Sequence, residues 1–164
     1  MMRPMRNDPL FRPPAEAESL ILQVDQGCPY NRCTFCGMYR GVPFERRALA
    51  ALRPLLAREA RRAPETRRIF LADGDALRRP FAELQALLVE LAALFPQLAR
   101  VNLYATGHHC RHARGRLEHG KEDKTDDHDR GRRNQQSFIH GLFGRLARAG
   151  SCIVVDRKSL DLIR

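Results

Sequence analysis

The chain has 164 residues, enough for one domain with its own core, and a hydrophobic fraction of 43 %. No stretch approaches the roughly eighteen apolar residues of a membrane span, and the N-terminus MMRPMRNDPLFRPPAEAE lacks the apolar run of a signal peptide. Five cysteines without an export signal point to a reducing, cytoplasmic setting, where clustered Cys means metal or redox chemistry. The net charge of +10 raises the question of a nucleic-acid partner. However, all sixteen basic residues before His108 are arginine, scattered over both faces of the predicted elements with eleven carboxylates among them. That is the mark of codon bias, not of a binding stripe. Neither nucleic acid nor a membrane is the expected partner.

Residues 1–17 read as an irregular lead-in, since prolines 4, 9, 13 and 14 exclude helix interiors and central strands. Ser19 to Val24 (SLILQV) is an apolar run of strand length, bounded by the turn signal Asp25-Gln26-Gly27. A cysteine-bearing loop follows at once. From about Arg47 to Arg62, the stripe Leu49, Leu52, Leu55, Leu56 predicts an amphipathic helix, with Pro54 kinking it or lying near its start. Arg68 to Ala72 (RIFLA) is a second strand, ended by the turn Asp73-Gly74-Asp75. Pro80 opens a second helix that runs to Phe95, with Phe81, Leu84, Leu87, Leu88, Leu91 and Leu94 in helical period. Arg100 to Tyr104 (RVNLY) is a third strand, with Val101 and Leu103 alternating against Asn102 and Tyr104. Strand and helix alternating at this spacing predict an α/β fold of right-handed βαβ units with parallel strands. In such sheets, chemistry gathers at the carboxyl ends of the strands, where the cysteine loop and the Asp-Gly-Asp turn both lie.

The composition changes after Gly107. All six histidines fall between His108 and His140, and residues 108–136 have almost no apolar side chains, the signature of disorder. Within 137–164, Phe138 to Ala149 reads as a short helix and Cys152 to Val155 as a strand, a fourth unit with Cys152 as a core thiol. The expected organisation is therefore a lead-in (1–17), an α/β core (18–107), a polar segment (108–136) and an extra helix–strand unit (137–164). The abrupt break is the pattern of a truncated, frameshifted or degenerated product. A half-built sheet would leave an open edge and exposed apolar faces.

The nine residues Cys28 to Cys36, CPYNRCTFC, carry the chemistry. Three clustered cysteines do not pair off as disulfides, because one is left over. They form a cradle for a soft metal or an iron–sulfur cluster. The spacing alone allows three sites. A structural zinc would need Cys110 or His112 as fourth ligand. A plant-type two-iron ferredoxin begins with the same spacing but needs a fourth cysteine, and Cys110 is the next one, beyond two predicted helices. A four-iron cluster with one open iron needs only these three. The first two together make up the competing reading, a non-enzymatic metal-binding protein with structural zinc or an electron-transfer cluster. Tyr30, Tyr39 and Tyr104 read as packing or loop residues, and Asp25 as a turn former or a contact to the site.

The stretch ILQVDQGCPYNRCTFCGMYRG resembles the cluster loop of radical S-adenosylmethionine (SAM) enzymes. It is most similar to a bacterial and archaeal branch related to oxygen-independent coproporphyrinogen oxidase-like proteins. Most of the family has three residues between the first two cysteines; here there are four, as in that branch. FLADGDAL resembles the turn that in the family ends the second strand and holds the SAM amino group through backbone carbonyls. The resemblance covers about residues 13–107 and implies a partial radical-SAM-type (β/α) barrel. It implies a [4Fe–4S] cluster on Cys28, Cys33 and Cys36, with Phe35 near the adenine of SAM and Asp73, Gly74 and Asp75 at its methionine end. It further implies reductive cleavage of SAM to a 5′-deoxyadenosyl radical, an electron donor such as flavodoxin or ferredoxin, and a substrate that the sequence does not name.

Overall fold

Ile69 to Ala72 form an unbroken run of buried residues, as expected of a strand covered on both faces, and the sheet is built outward from it. The computed structural model describes residues 11–32, 34, 36–106 and 152–156. Its elements are β1 (Leu20–Gln23), β2 (Asp25–Gln26), β3 (Glu45–Arg46), α1 (Leu49–Arg62), β4 (Arg68–Ala72), α2 (Phe81–Leu94), β5 (Arg100–Tyr104) and β6 (Cys152–Asp156), with 3₁₀ turns at Pro14–Glu16 and Ala76–Arg78. The main sheet has the order β1-β4-β5-β6. β1, β4 and β5 are parallel, with Leu20 opposite Ile69 and Ile69 opposite Val101. The chain is thus mixed α/β, with three parallel strands and two connecting helices and no closed barrel among the described residues.

Both helices pack on the same sheet face. Leu22, Ile69, Leu71, Val101, Leu103 and Val155 meet Leu52 and Leu56 of α1 and Leu84, Leu87, Leu88 and Leu91 of α2 in one core. The leucine period of each helix produces this, since residues three and four apart share a stripe. Pro54 lies inside α1 without ending it. Its missing N–H removes one bond of the ladder, while Leu52 and Leu56 on either side stay fully buried. Pro80 caps α2 from outside, and its carbonyl accepts the Leu84 N–H at 3.1 Å.

The structure adds to the sequence expectations and departs from them at several places. Asp25 and Gln26 do not turn. They remain extended as β2 and pair antiparallel with β3, so the chain bends only at Gly27, which has φ +71°. Asn102 is buried and donates to Glu16 Oε1, while Tyr104 packs edge-on against Phe70 at 5.0 Å. Glu16, on the lead-in, is therefore a buried anchor, and Ser19 Oγ donates to its other oxygen at 2.5 Å. The strand at Cys152 exists but runs antiparallel to β5, with Val101 opposite Val155, so it is not a further parallel βα unit. It also covers the β5 edge. The expected exposed apolar faces are absent among the described residues, where the large apolar side chains left exposed are Phe11, Tyr30, Met38 and Val89. The helix expected at Phe138–Ala149 and the polar stretch 108–136 lie outside the described residues. Among the described residues, no helix is long and apolar enough to cross a membrane.

The most deeply buried ion pair ties these elements together. Arg79, just past the 3₁₀ turn that follows β4, donates through Nη2 to Asp25 Oδ1 at 2.5 Å and to the carbonyls of Val24 and Arg47, each at 2.8 Å. Both side chains are almost wholly buried. Asp25 also accepts the Arg47 N–H at 3.3 Å. Burial raises the Asp25 pKa above its ordinary 3.8, and the Arg79 charge opposes that rise. A carboxyl raised in this way binds its proton more tightly in the folded chain. Its contribution to stability is full below 3.8 and declines as pH rises through the folded value. Arg79→Met should lower the unfolding free energy at neutral pH by about 3–5 kcal/mol in urea titrations, because a buried carboxylate loses its partner. The same variant should show a steeper loss of stability with rising pH than the parent chain, since Asp25 moves further up.

Candidate metal and cofactor site

The cysteine loop leaves β2 at Gly27 and returns at β3, so the Asp25–Arg46 and Gln26–Glu45 pairs clip it at its base. Cys28 and Cys36 are free, half-buried thiols on this loop. Cys33 and Phe35 lie outside the described residues. Within the loop, Asn31 Nδ2 donates to the Tyr39 carbonyl at 2.8 Å and folds the tip back on itself. Tyr39 is buried and meets Phe11 edge-on at 5.9 Å, whereas Tyr30 is 56 % exposed.

The Asp73–Asp75 turn reaches this loop directly. Gly74 has φ +56°, and a Cβ there would stand 2.6 Å from the Gly27 carbonyl oxygen and 2.9 Å from Pro29 Cδ. Only a residue without a side chain fits between β4 and the entry to the cysteines. Asp73 also has a positive φ, +71°. Its strain is offset by hydrogen bonds to its carboxylate: Gln23 Nε2 donates to Oδ2 at 2.6 Å, and the Gly27 N–H donates to the same oxygen at 3.4 Å. Asp75 holds the other side of the turn, its Oδ2 accepting the Thr106 N–H at 2.8 Å just beyond β5. Two sequence motifs on neighbouring parallel strands thus meet at the carboxyl ends of those strands.

The donor chemistry fits a soft metal. Thiols on a clipped loop suit iron–sulfur or zinc, not a hard oxygen-seeking cation. Cys28 and Cys36 would supply two thiolate ligands; among the described residues, no three His, Cys, Asp or Glu side chains gather closely enough to bind a metal. Cys110 and His112, the fourth ligands of a zinc site, lie outside the described residues. The sequence singled out the cysteines and the turn as candidates, but not Gln23 or Arg79, which the structure places against Asp73 and Asp25. Gln23 ends an apolar strand, and Arg79 is one arginine among sixteen before His108, so neither carried a signal. Tyr39 was legible only as a loop aromatic.

No protein-family model matches the chain, and no curated protein or solved structure matches it.

Gly74→Ala is expected to destabilise the chain by about 2 kcal/mol or more, from the left-handed φ and the overpacked contact combined. Alkylation of Cys28 should be faster than in the parent chain at a temperature where both are folded, because the loop entry must shift to admit the methyl group. Mass spectrometry of the labelled peptide reads this out.

Proposed function

We propose that the chain is a radical SAM protein: Cys28, Cys33 and Cys36 hold three irons of a [4Fe–4S] cluster, and the Asp73-Gly74-Asp75 turn carries the methionine end of SAM. The observation that carries this reading is the contact of Gly74 with Gly27, Cys28 and Pro29. A cluster with one open iron needs a ligand-binding turn within reach of its cysteines, and the two motifs are in van der Waals contact. The sequential order β1-β4-β5 with both helices on one face gives further support. It is the winding expected of the opening units of a (β/α) barrel, here a partial one.

The bound cluster and SAM together supply reductive cleavage of a sulfonium C–S bond, which generates a carbon radical able to take hydrogen from a substrate. The protein's residues bind and orient. The three thiolates hold iron, and Gly74, having no Cβ, lets the turn lie directly against the entry to the cysteine loop. The Asp73 and Asp75 carboxylates fix the turn to β1 and to the segment after β5. Phe35 is assigned to the adenine. The partner is a one-electron donor of the flavodoxin or ferredoxin class, and the setting is cytoplasmic.

Anaerobic reconstitution tests this. The expected result is about four iron and four sulfide per chain, a visible spectrum that changes on adding SAM, and 5′-deoxyadenosine on reduction. Cys33→Ser should abolish all three, and Cys110→Ser none. Stoichiometric zinc that depends on Cys110, with no response to SAM, would instead identify a structural zinc protein.

A further inference from the structure

The segment from Asp73 to Arg79 meets the cysteine loop at two separate places. Gly74 lies against the entry, at Gly27, Cys28 and Pro29. Arg79 holds the stems. Its Nη2 donates to Asp25 Oδ1 at 2.5 Å and to the Val24 carbonyl at 2.8 Å before the loop, and to the Arg47 carbonyl at 2.8 Å after it. Between these contacts the segment is braced. The Asp75 and Ala76 carbonyls accept the Arg78 and Arg79 N–H groups at 3.0 and 3.2 Å, closing the 3₁₀ turn. Asp75 Oδ2 is tied to the Thr106 N–H, and Ala76 and Leu77 are buried in the leucine core. The turn and the guanidinium are thus parts of one frame applied to the loop. Stability alone does not call for this arrangement. The side chains of Arg79 and Asp25 are 2 % and 1 % exposed, and apolar residues of similar size often replace such a buried pair without loss. Arg79 Nε is also buried with no hydrogen-bond partner among the described residues, a further cost. What the pair supplies in return is a fixed geometry at both ends of the loop.

We propose that Arg79 is a positioning residue that sets the placement of the cysteine loop relative to the Asp73–Asp75 turn, so that one ligand can reach both. It acts through the main chain at Val24 and Arg47 and through Asp25, not by contact with the ligand. The assignment rests on the radical SAM reading and deepens it. A ligand that binds a metal on the cysteines and is also carried by the turn needs the two in register, and a misplacement of about 1 Å is enough to matter. Cluster uptake needs only the cysteines, whereas SAM binding needs the loop and the turn together, so the two readouts separate a positioning role from a structural one.

The test uses the full chain, metal-free and after anaerobic reconstitution. Asp25→Leu combined with Arg79→Met removes both charges at once, so that neither is left buried alone. Arg79→Lys keeps a charge beside Asp25 on a shorter stem, without the spread of donors of a guanidinium. Both variants should melt cooperatively and take up as much iron and sulfide as the parent, since all three cysteines remain. Both should bind SAM at least about tenfold more weakly by calorimetry, the scale of a small misplacement. In the metal-free chain, below the melting transition, Cys28 should be alkylated faster than in the parent. Variants that bind SAM as tightly as the parent at equal cluster content overturn the positioning role and leave the proposed function standing. Unchanged alkylation of Cys28 overturns the role too. If the double variant does not fold, Arg79→Lys decides alone. Failure of both to fold, or loss of cluster and SAM together, assigns Arg79 to the fold and overturns the proposal. A parent chain that takes up the cluster but binds no SAM overturns it together with the proposed function.

Discussion

Backbone meets backbone where the Asp73–Asp75 turn crosses the start of the cysteine loop, and no side chain fits between them. A Cβ at Gly74 would stand 2.6 Å from the Gly27 carbonyl oxygen, well inside van der Waals contact, so the approach exists only because Gly74 has none. The position of Cys28 follows from it, since Cys28 directly follows Gly27, whose carbonyl Gly74 touches. The left-handed φ of Asp73 also follows, because a chain leaving β4 must swing sharply to bring Gly74 there. Gln23 closes the arrangement by holding the Asp73 carboxylate from the end of the neighbouring strand. A turn, a strand end and a loop entry are thus fixed by one short contact and one carboxylate.

Polar groups, not apolar packing, join the site to the rest of the fold. The leucine core lies under the sheet on the helix side, and none of its residues belongs to the cysteine loop. Arg79 makes the connection. Its guanidinium spans the chain on both sides of the loop, at Val24 and Asp25 on entry and at Arg47 on exit. A planar fork with several donors can serve acceptors in different directions at once, as a lysine ammonium on a flexible stem does less well. Such a pair adds little net stability compared with an apolar substitute, but it fixes geometry and is costly to break by halves.

Most of the main elements were legible in the sequence because each obeys one period. RIFLA and FAELQALLVELAAL announce a buried strand and a helix with little ambiguity, and the cysteine spacing marks a candidate site. The remainder depended on partners distant in the chain. Nothing in RVNLY says that Asn102 finds Glu16, because that partner lies 86 residues away in the chain. Asp25-Gln26-Gly27 has turn composition, but Arg79 and β3 hold the first two extended. The direction of β6 was not legible either, because strand composition is indifferent to whether its neighbour runs with it or against it. At the candidate site, the thiols and the turn could be read off, whereas Gln23 is tied to them only through its bond to Asp73.

The two-residue ladder of β2 and β3 governs how the loop from Gly27 to Phe44 spends its conformational entropy. Bringing the ends of a flexible segment together costs an entropy that grows with the logarithm of its length, and folding has already met that cost when the ladder forms. A ligand at the cysteines would meet a loop whose ends are already joined, and the Asn31 bond to the Tyr39 carbonyl ties it a second time. The clip is therefore a form of preorganisation. It would transfer part of the entropic penalty of binding at the cysteines to the folding of the two backbone pairs.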